Sequence, residues 1–243
     1  MIGQSTIKEI GKLKLQKFRK ESGLFLVEGE KLVLEVIQST QKWDIKYVLG
    51  AASSTIAPEI TEHANFSGVS IKDLGRISTQ KNPDKVIAVV AMQEVAKMEQ
   101  NGWFIYLDGV QDPGNLGAIV RIALWYGFAG IITDSNCPDA FNPKVIRGSM
   151  GGSMQLPFYQ EAHFDVLKEK GLNVFVADMH GENIDAVTFP DQGILIVGAE
   201  GPGVSPEMRN SATKTISIPK IGAGESLNVA VATGIIAHQI KKQ

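Results

Sequence analysis

The chain is 243 residues long, 44% hydrophobic and 21% charged, with a net charge of −2, which excludes a disordered chain and fits one large domain or two ordinary ones. No apolar run approaches the roughly 20 residues of a membrane span, and the start, "MIGQSTIKEI", lacks a signal peptide's apolar core, so a cytoplasmic protein with no membrane contact is expected. The single cysteine, Cys137, excludes an internal disulfide or a CxxC zinc site, and the four histidines lack HExxH spacing, so no metal is expected.

In chain order, residues 1–20 come first, with six basic side chains (Lys8, Lys12, Lys14, Lys17, Arg19, Lys20) against one acid, Glu9. That excess could track phosphates, or could be the solvated side of an amphipathic segment. Residues 24–92 alternate short strands and helices. "LFLVEG", "IKYVLG", "VSI" and "VIAVVAM" read as strands, and "EKLVLEVIQST" and "APEITEHAN" as helices. Leu32, Val33, Val36 and Ile37 have the spacing of one helix face. "QEVAKMEQNG", ending in Gly102, reads as a polar linker.

The rhythm then repeats on a larger scale. "WFIYLDGV", "AGIIT", "LNVFVAD" and "GILIVG" are continuous apolar strands, as in a parallel sheet covered on both faces, and helices are expected at about 115–127, 162–170 and 227–241. Strands alternating with helices predict a mostly parallel α/β domain.

Ligands of such sheets bind beyond the carboxyl ends of the strands, where three loops stand out. The first, "LDGVQDPGNLGAIVRIALWYGF" (107–128), has neither GxGxxG nor a GxxxxGK[ST] phosphate loop. Arg121 follows Gly117 and Ala118 by four and three residues, so the three share a helix face. Small neighbours let an anionic backbone approach the guanidinium, whose fork suits phosphate; the alternative is a surface pairing with a carboxylate. Asn115 reads by default as a helix N-cap. In the second loop, "ILIVGAEGPGVSPEM" (194–208), Gly198, Gly201 and Gly203 leave backbone bare around Glu200. Ser205 before a proline fits an N-cap. The third, "IPKIGAGESLNVAVATGIIAHQI" (218–240), crowds Glu225, Ser226 and Asn228 before an apolar helix. Leu227, Val231 and Ile235 form one stripe of that helix and Val229, Ile236 and Ile240 another, so it is expected to be packed on several sides.

"DPGNLGAIVR", "GAEGPGVSPE" and "IPKIGAGESLNVAVATG", in this order, closely resemble the three motifs of the SpoU-type RNA ribose 2′-O-methyltransferases. The likeness covers roughly 103–241, and "NPKVIRGSMGGSMQLPF" resembles the family too. "KFRKESGLFLVEGEKLVLEVI" resembles the start of a ribosomal-protein-like substrate-binding domain. The resemblance implies a small N-terminal α/β domain for RNA substrate in residues 1–97. It also implies a methyltransferase domain in 98–243, a mostly parallel sheet with a deep trefoil knot that binds S-adenosyl-L-methionine. A homodimer acting on RNA is implied. The likeness puts Asn115, Arg121, Glu200, Ser226 and Asn228 in the catalytic pocket. It puts Met179, Gly198, Glu200, Ile218 and Leu227 at the cofactor, and Lys17, Arg19 and Arg121 on RNA. Arginine is a poor base, so Arg121 is expected to orient phosphate and stabilise developing charge.

A non-catalytic RNA-binding assembly factor of this fold would be favoured by loss of Asn115, Arg121 or Asn228, all of which are present. A dinucleotide-dependent oxidoreductase would need a glycine fingerprint that is missing. The N-terminal domain favours large-subunit ribosomal RNA over tRNA, with the target nucleotide splayed from a structured loop. Residues 1–97 hold 14 basic against 11 acidic side chains, so phosphate contacts are expected there and in the cleft.

Overall fold

The computed structural model describes residues 2–93 and 101–242, so most of the linker read at 93–102 lies outside the described residues. The chain opens with α1 (Gln4–Lys12), α2 (Gln16–Ser22), β1 (Leu24–Glu28), α3 (Glu30–Gln38) and β2 (Ile45–Ala51). It continues with α4 (Pro58–Thr61), β3 (Phe66–Val69), α5 (Ile71–Ile77) and β4 (Val86–Ala91). Then come β5 (Trp103–Asp108), α6 (Pro113–Trp125), β6 (Gly130–Thr133), α7 (Pro143–Gly148), β7 (Phe158–Gln160) and α8 (Ala162–Glu169). The last elements are β8 (Asn173–Asn183), β9 (Gly193–Gly198), α9 (Pro206–Asn210), β10 (Lys214–Ser217) and α10 (Val229–Lys242).

Internal packing divides the chain into two units, Met1–Glu94 with Asp139–Gly151, and Val95–Pro138 with Gly152–Gln243. A boundary at 97/98 leaves 139–151 in the second domain; the structure groups it with the first. The reason is local packing. The ring of Phe141 lies 4.6 Å from that of Phe25, and α7 packs on β1.

The first unit is a four-stranded sheet in the order β1-β4-β2-β3, antiparallel except for the parallel β2–β3 pair. Ile7 and Ile10 of α1 and Leu13 beyond it are buried with Leu26, Leu49 and Ile87 of the sheet. Burial of each such side chain contributes roughly 1.5–3 kcal/mol, which anchors a segment otherwise rich in lysine. "VSI" straddles three states rather than forming a strand: Val69 ends β3, Ser70 caps, and Ile71 starts α5. The Ser70 hydroxyl accepts the Asp73 N–H at 3.1 Å, which ends the strand and starts the helix.

Arg19 corrects an expectation. Its side chain is 1% exposed, and its Nη1 donates to the carbonyls of Leu13 and Lys14 at 2.8 and 2.9 Å. Nε donates to Asp139 Oδ1 at 3.2 Å and Nη2 pairs with Asp139 Oδ2. A guanidinium consumed in this way cannot take up RNA phosphate. Lys17, by contrast, is exposed, with only a 3.9 Å approach to Glu21.

The second unit is a parallel six-stranded sheet, β10-β8-β9-β5-β6-β7. Phe104, Tyr106, Ile194 and Ile196 pack in one cluster with Phe164 and Leu167 of α8. The alternate residues Trp103, Ile105, Leu107 and Leu195 are also fully or almost fully buried, so both faces are covered, as the continuous apolar runs predict.

Candidate active site

Strand register sets the site. β5 pairs with β9 so that Asp108 lies opposite Gly198, and with β6 so that Leu107 lies opposite Thr133. The loops after these three strands therefore leave the sheet at one edge, the ligand side of an open parallel sheet.

Asp112, not Asn115, caps α6. Its Oδ1 accepts the Asn115 N–H at 2.8 Å, and Pro113 occupies the first helical position, where an N–H would go unused. The helix therefore starts two residues earlier than expected, at Pro113, and the Asn115 side chain is released for other work.

The second loop closes on itself. A Cβ on Gly198 would lie 2.2 Å from the carbonyl carbon of Gly203, and Gly201 and Gly203 have φ of +94° and +71°. Only glycine meets both demands. Ser205 caps α9 as expected, its hydroxyl accepting the Met208 N–H at 3.3 Å. Two contacts that the sequence does not announce hold this loop. Asp108 Oδ2 accepts the Ser205 N–H at 2.5 Å, tying the first loop to the second. Arg209 donates to the Val204 carbonyl at 2.9 Å and pairs with Asp178 at 2.9 Å.

Asn228 joins the third loop to the other two. Its Oδ1 accepts the N–H groups of Ala230 and Val231 at 3.0 and 3.3 Å, capping α10. Its Nδ2 donates to Glu200 Oε1 at 2.8 Å and to Asn115 Oδ1 at 2.9 Å. Asn115 Nδ2 donates to the same Glu200 oxygen at 2.7 Å, closing a ring of three residues from three loops. Both amide orientations follow from chemistry. The helix end needs an acceptor, so Asn228 turns Oδ1 to it and Nδ2 to the carboxylate, which only accepts. Asn115 must then present Nδ2 to Glu200 and Oδ1 to Asn228.

The remaining expected residues divide. Arg121 is exposed on α6 and has no ion pair among the described residues. Gly198, Met179 and Ile218 lie at or just beyond the carboxyl-terminal parts of β9, β8 and β10, three neighbours in the sheet. Met179 is 66% exposed. Ser226 and Leu227 sit in the exposed stretch 219–228, and Ser226 has no hydrogen bond to the ring.

Residues 102–238 match the SpoU rRNA Methylase family, and residues 4–88 match the MRM3-like substrate binding domain. The chain belongs to the SpoU family. It is an RNA methyltransferase. It is 29% identical to the 23S rRNA (guanosine(2553)-2′-O)-methyltransferase RlmP of Bacillus subtilis, over 97% of this chain and 95% of that one. An uncharacterized tRNA/rRNA methyltransferase of Synechocystis is 31% identical, over 98% and 90%. Among solved structures, the AdoMet-bound rRNA methyltransferase from Sinorhizobium meliloti superposes with a TM-score of 0.83 at 26% identity, covering 100% of this chain and 96% of that one. The SpoU methyltransferase AviRb from Streptomyces viridochromogenes shares the fold, with a TM-score of 0.86 at 22% identity over 99% and 98% of the two chains.

One feature of this SpoU chain departs from the sequence reading. The last helix is not packed all round: Val229, Ile236 and Ile240 are buried, while Val231 and Ile235 are 52% and 38% exposed. Trp125 and Leu124 of α6, which packs against α10, are exposed as well. A cavity of about 590 Å³ also opens at the loop edge, with Asp108, Asp112, Asn115 and Glu200 among its walls. Sequence reasoning missed Asp108 and Asp112. The Asp-Pro pair three residues before Asn115 was a legible cap signature; nothing local marks Asp108.

Proposed function

We propose that this SpoU chain transfers a methyl group from S-adenosyl-L-methionine to a ribose 2′-hydroxyl of large-subunit ribosomal RNA, working as a homodimer. The observation that carries this reading is the Asn115–Glu200–Asn228 ring, which joins the three motif loops, with Arg121, free of ion pairs among the described residues, on the helix that bears Asn115. The ring supplies rigid, oriented amides, and Arg121 supplies a planar cation for the phosphate next to the reacting ribose. The 23S rRNA ribose specificity in the name of the B. subtilis relative supports the substrate class.

The cofactor's place is supported by the fit of the residues. Gly222 and Gly224 have open space where a Cβ would stand, so the third loop offers bare backbone. Backbone groups at Gly198, Ile218 and Leu227, with Met179 beside them, would hold S-adenosyl-L-methionine, which when bound supplies the electrophilic methyl. The reading includes the trefoil crossing of the C-terminal chain and phosphate contacts from Lys17. The open stripe of Val231 and Ile235, with Trp125 84% exposed, supports the homodimer.

The deciding experiment incubates the protein with tritiated S-adenosyl-L-methionine and ribosomal RNA from cells lacking the gene, then maps 2′-O-methyl nucleosides. One site in large-subunit RNA is expected. Label on a base, on tRNA alone, or nowhere overturns the proposal. Val231→Glu is expected to give a monomer by light scattering, and an unchanged mass would remove the homodimer.

A further inference from the structure

We propose that Arg147, with Lys144 one turn before it on α7, grips a backbone phosphate of the RNA substrate. This rests on the RNA-methylation reading above, and it gives work to "NPKVIRGSMGG", a stretch that the reading leaves without any. Of the five arginines, Arg19, Arg76 and Arg209 pair with Asp139, Asp73 and Asp178. Arg121 and Arg147 pair with no carboxylate among the described residues. Arg121 is exposed, whereas Arg147 is half-buried. Its Nη1 is shut off from water with nothing to donate to. Nε and Nη2 are not shut off, so the guanidinium is shielded on one side and presents a free two-donor edge on the other. Arginine stays charged, and a shielded donor without an acceptor is a standing cost to the fold. Two parallel N–H groups on a planar edge match a phosphate, and the dry side strengthens the attraction.

The surroundings favour RNA as the source of that phosphate. Residues 139–151 pack with the unit that holds the substrate-binding match, residues 4–88. The charged side chains of this segment are Asp139, Lys144 and Arg147. Asp139 is consumed by Arg19, so two unpaired cations remain. Lys144 is exposed and stands three residues before Arg147, on the same side of α7. Arg19 also holds the carbonyls of Leu13 and Lys14, so one guanidinium fastens the lysine-rich corner between α1 and α2 to the start of this segment. A strand with a charge on every nucleotide calls for such a succession of cations. The end of α7 adds a second sign. The Gly151 N–H donates to the Ile146 carbonyl at 2.8 Å and the Met150 N–H to the Arg147 carbonyl at 3.0 Å, a helix stop whose left-handed residue is usually glycine. Here that residue is Met150, at φ +53° and half-exposed. A bare guanidinium and a left-handed methionine four residues apart or less are stability given up at one place, as at ligand sites.

The test measures binding of large-subunit ribosomal RNA from cells lacking the gene, by filter retention across a salt series and without methyl donor. Arg147→Met keeps the unbranched stem and removes the cation. It is expected to weaken binding by about tenfold or more at low salt. The slope of log affinity against log salt should fall by about 1. Tm should stay equal or rise, because the unsatisfied donor is gone. Arg147→Lys should keep the slope and still bind more weakly, since the charge remains and the fork is lost. Affinity for S-adenosyl-L-methionine should be unchanged in both. An unchanged slope in folded Arg147→Met, or a clearly lowered Tm, overturns the proposal. A loss of cofactor affinity with the slope intact would make Arg147 a partner of the cofactor's carboxylate and overturns it too. Should Arg147→Met fail to fold, Lys144→Ala decides: a slope lower by about 1 is expected, and an unchanged slope overturns the proposal. A wild type that binds the RNA but transfers no methyl group overturns the catalytic reading and leaves the phosphate grip standing. Absence of RNA binding by the wild type overturns both.

Discussion

Arg19 and Arg121 are the same side chain put to opposite uses. Both carry a guanidinium that the sequence reading assigned to RNA. In the first unit, Arg19 is 1% exposed and spends four hydrogen bonds on Leu13, Lys14 and Asp139. In the second, Arg121 is exposed and has no ion pair among the described residues. The contrast extends to the acids. Glu28 is 4% exposed and accepts from Ser78, from the Thr79 backbone and hydroxyl, and from Gln80. Glu200 accepts two amides on Oε1 alone. The lesson is that charge satisfied on every side holds a fold, and charge satisfied on one side is available to a ligand.

Substitution of the two arginines is expected to have opposite consequences. Arg19→Ala leaves Asp139 without its partner and is expected to lower stability by about 3 kcal/mol or more. For a chain of this size that lowers Tm by roughly 10 °C, readable by calorimetry. A normal melt with weakened RNA binding would return Arg19 to the RNA and erase the contrast. Arg121→Lys keeps the charge but loses the fork, so single-turnover methyl transfer should fall about tenfold or more with little change in Tm. Near-normal transfer by that variant would mean that a point charge suffices.

Asn228→Ala removes a helix cap worth about 1 kcal/mol and one of the two amides on Glu200, so transfer should fall further than the loss of stability explains. Equal falls would make Asn228 a cap and nothing more. Lys17→Ala should change stability by less than about 0.5 kcal/mol. It should also reduce the slope of log affinity for RNA against log salt by about 1. An unchanged slope would remove Lys17 from the phosphate path.

Much of this was legible because it is local. Ser205-Pro206 announced its helix, and the run "GILIVG" announced a strand buried on both faces, since caps and periodicity depend on neighbours a few residues apart. The three loops were legible as glycine and polar residues at strand ends, but their meeting was not. Asn115 and Asn228 are 113 positions apart, and only the register of β5 and β9 and the capping turn of Asn228 bring them together. "VSI" misled because Val and Ile favour strands while a serine between them favours a cap, and the cap won.

By itself, the sequence determined the chemistry available at each loop, the parallel α/β class and, through its three motifs, the family. Tertiary structure alone decided which charges remain free. Arg19 meets Asp139 across 120 positions, and Asp112 turns one oxygen to Asn115 while the other has no partner among the described residues. Burial and pairing are properties of distant residues brought together by the packed chain, so no window of sequence contains them.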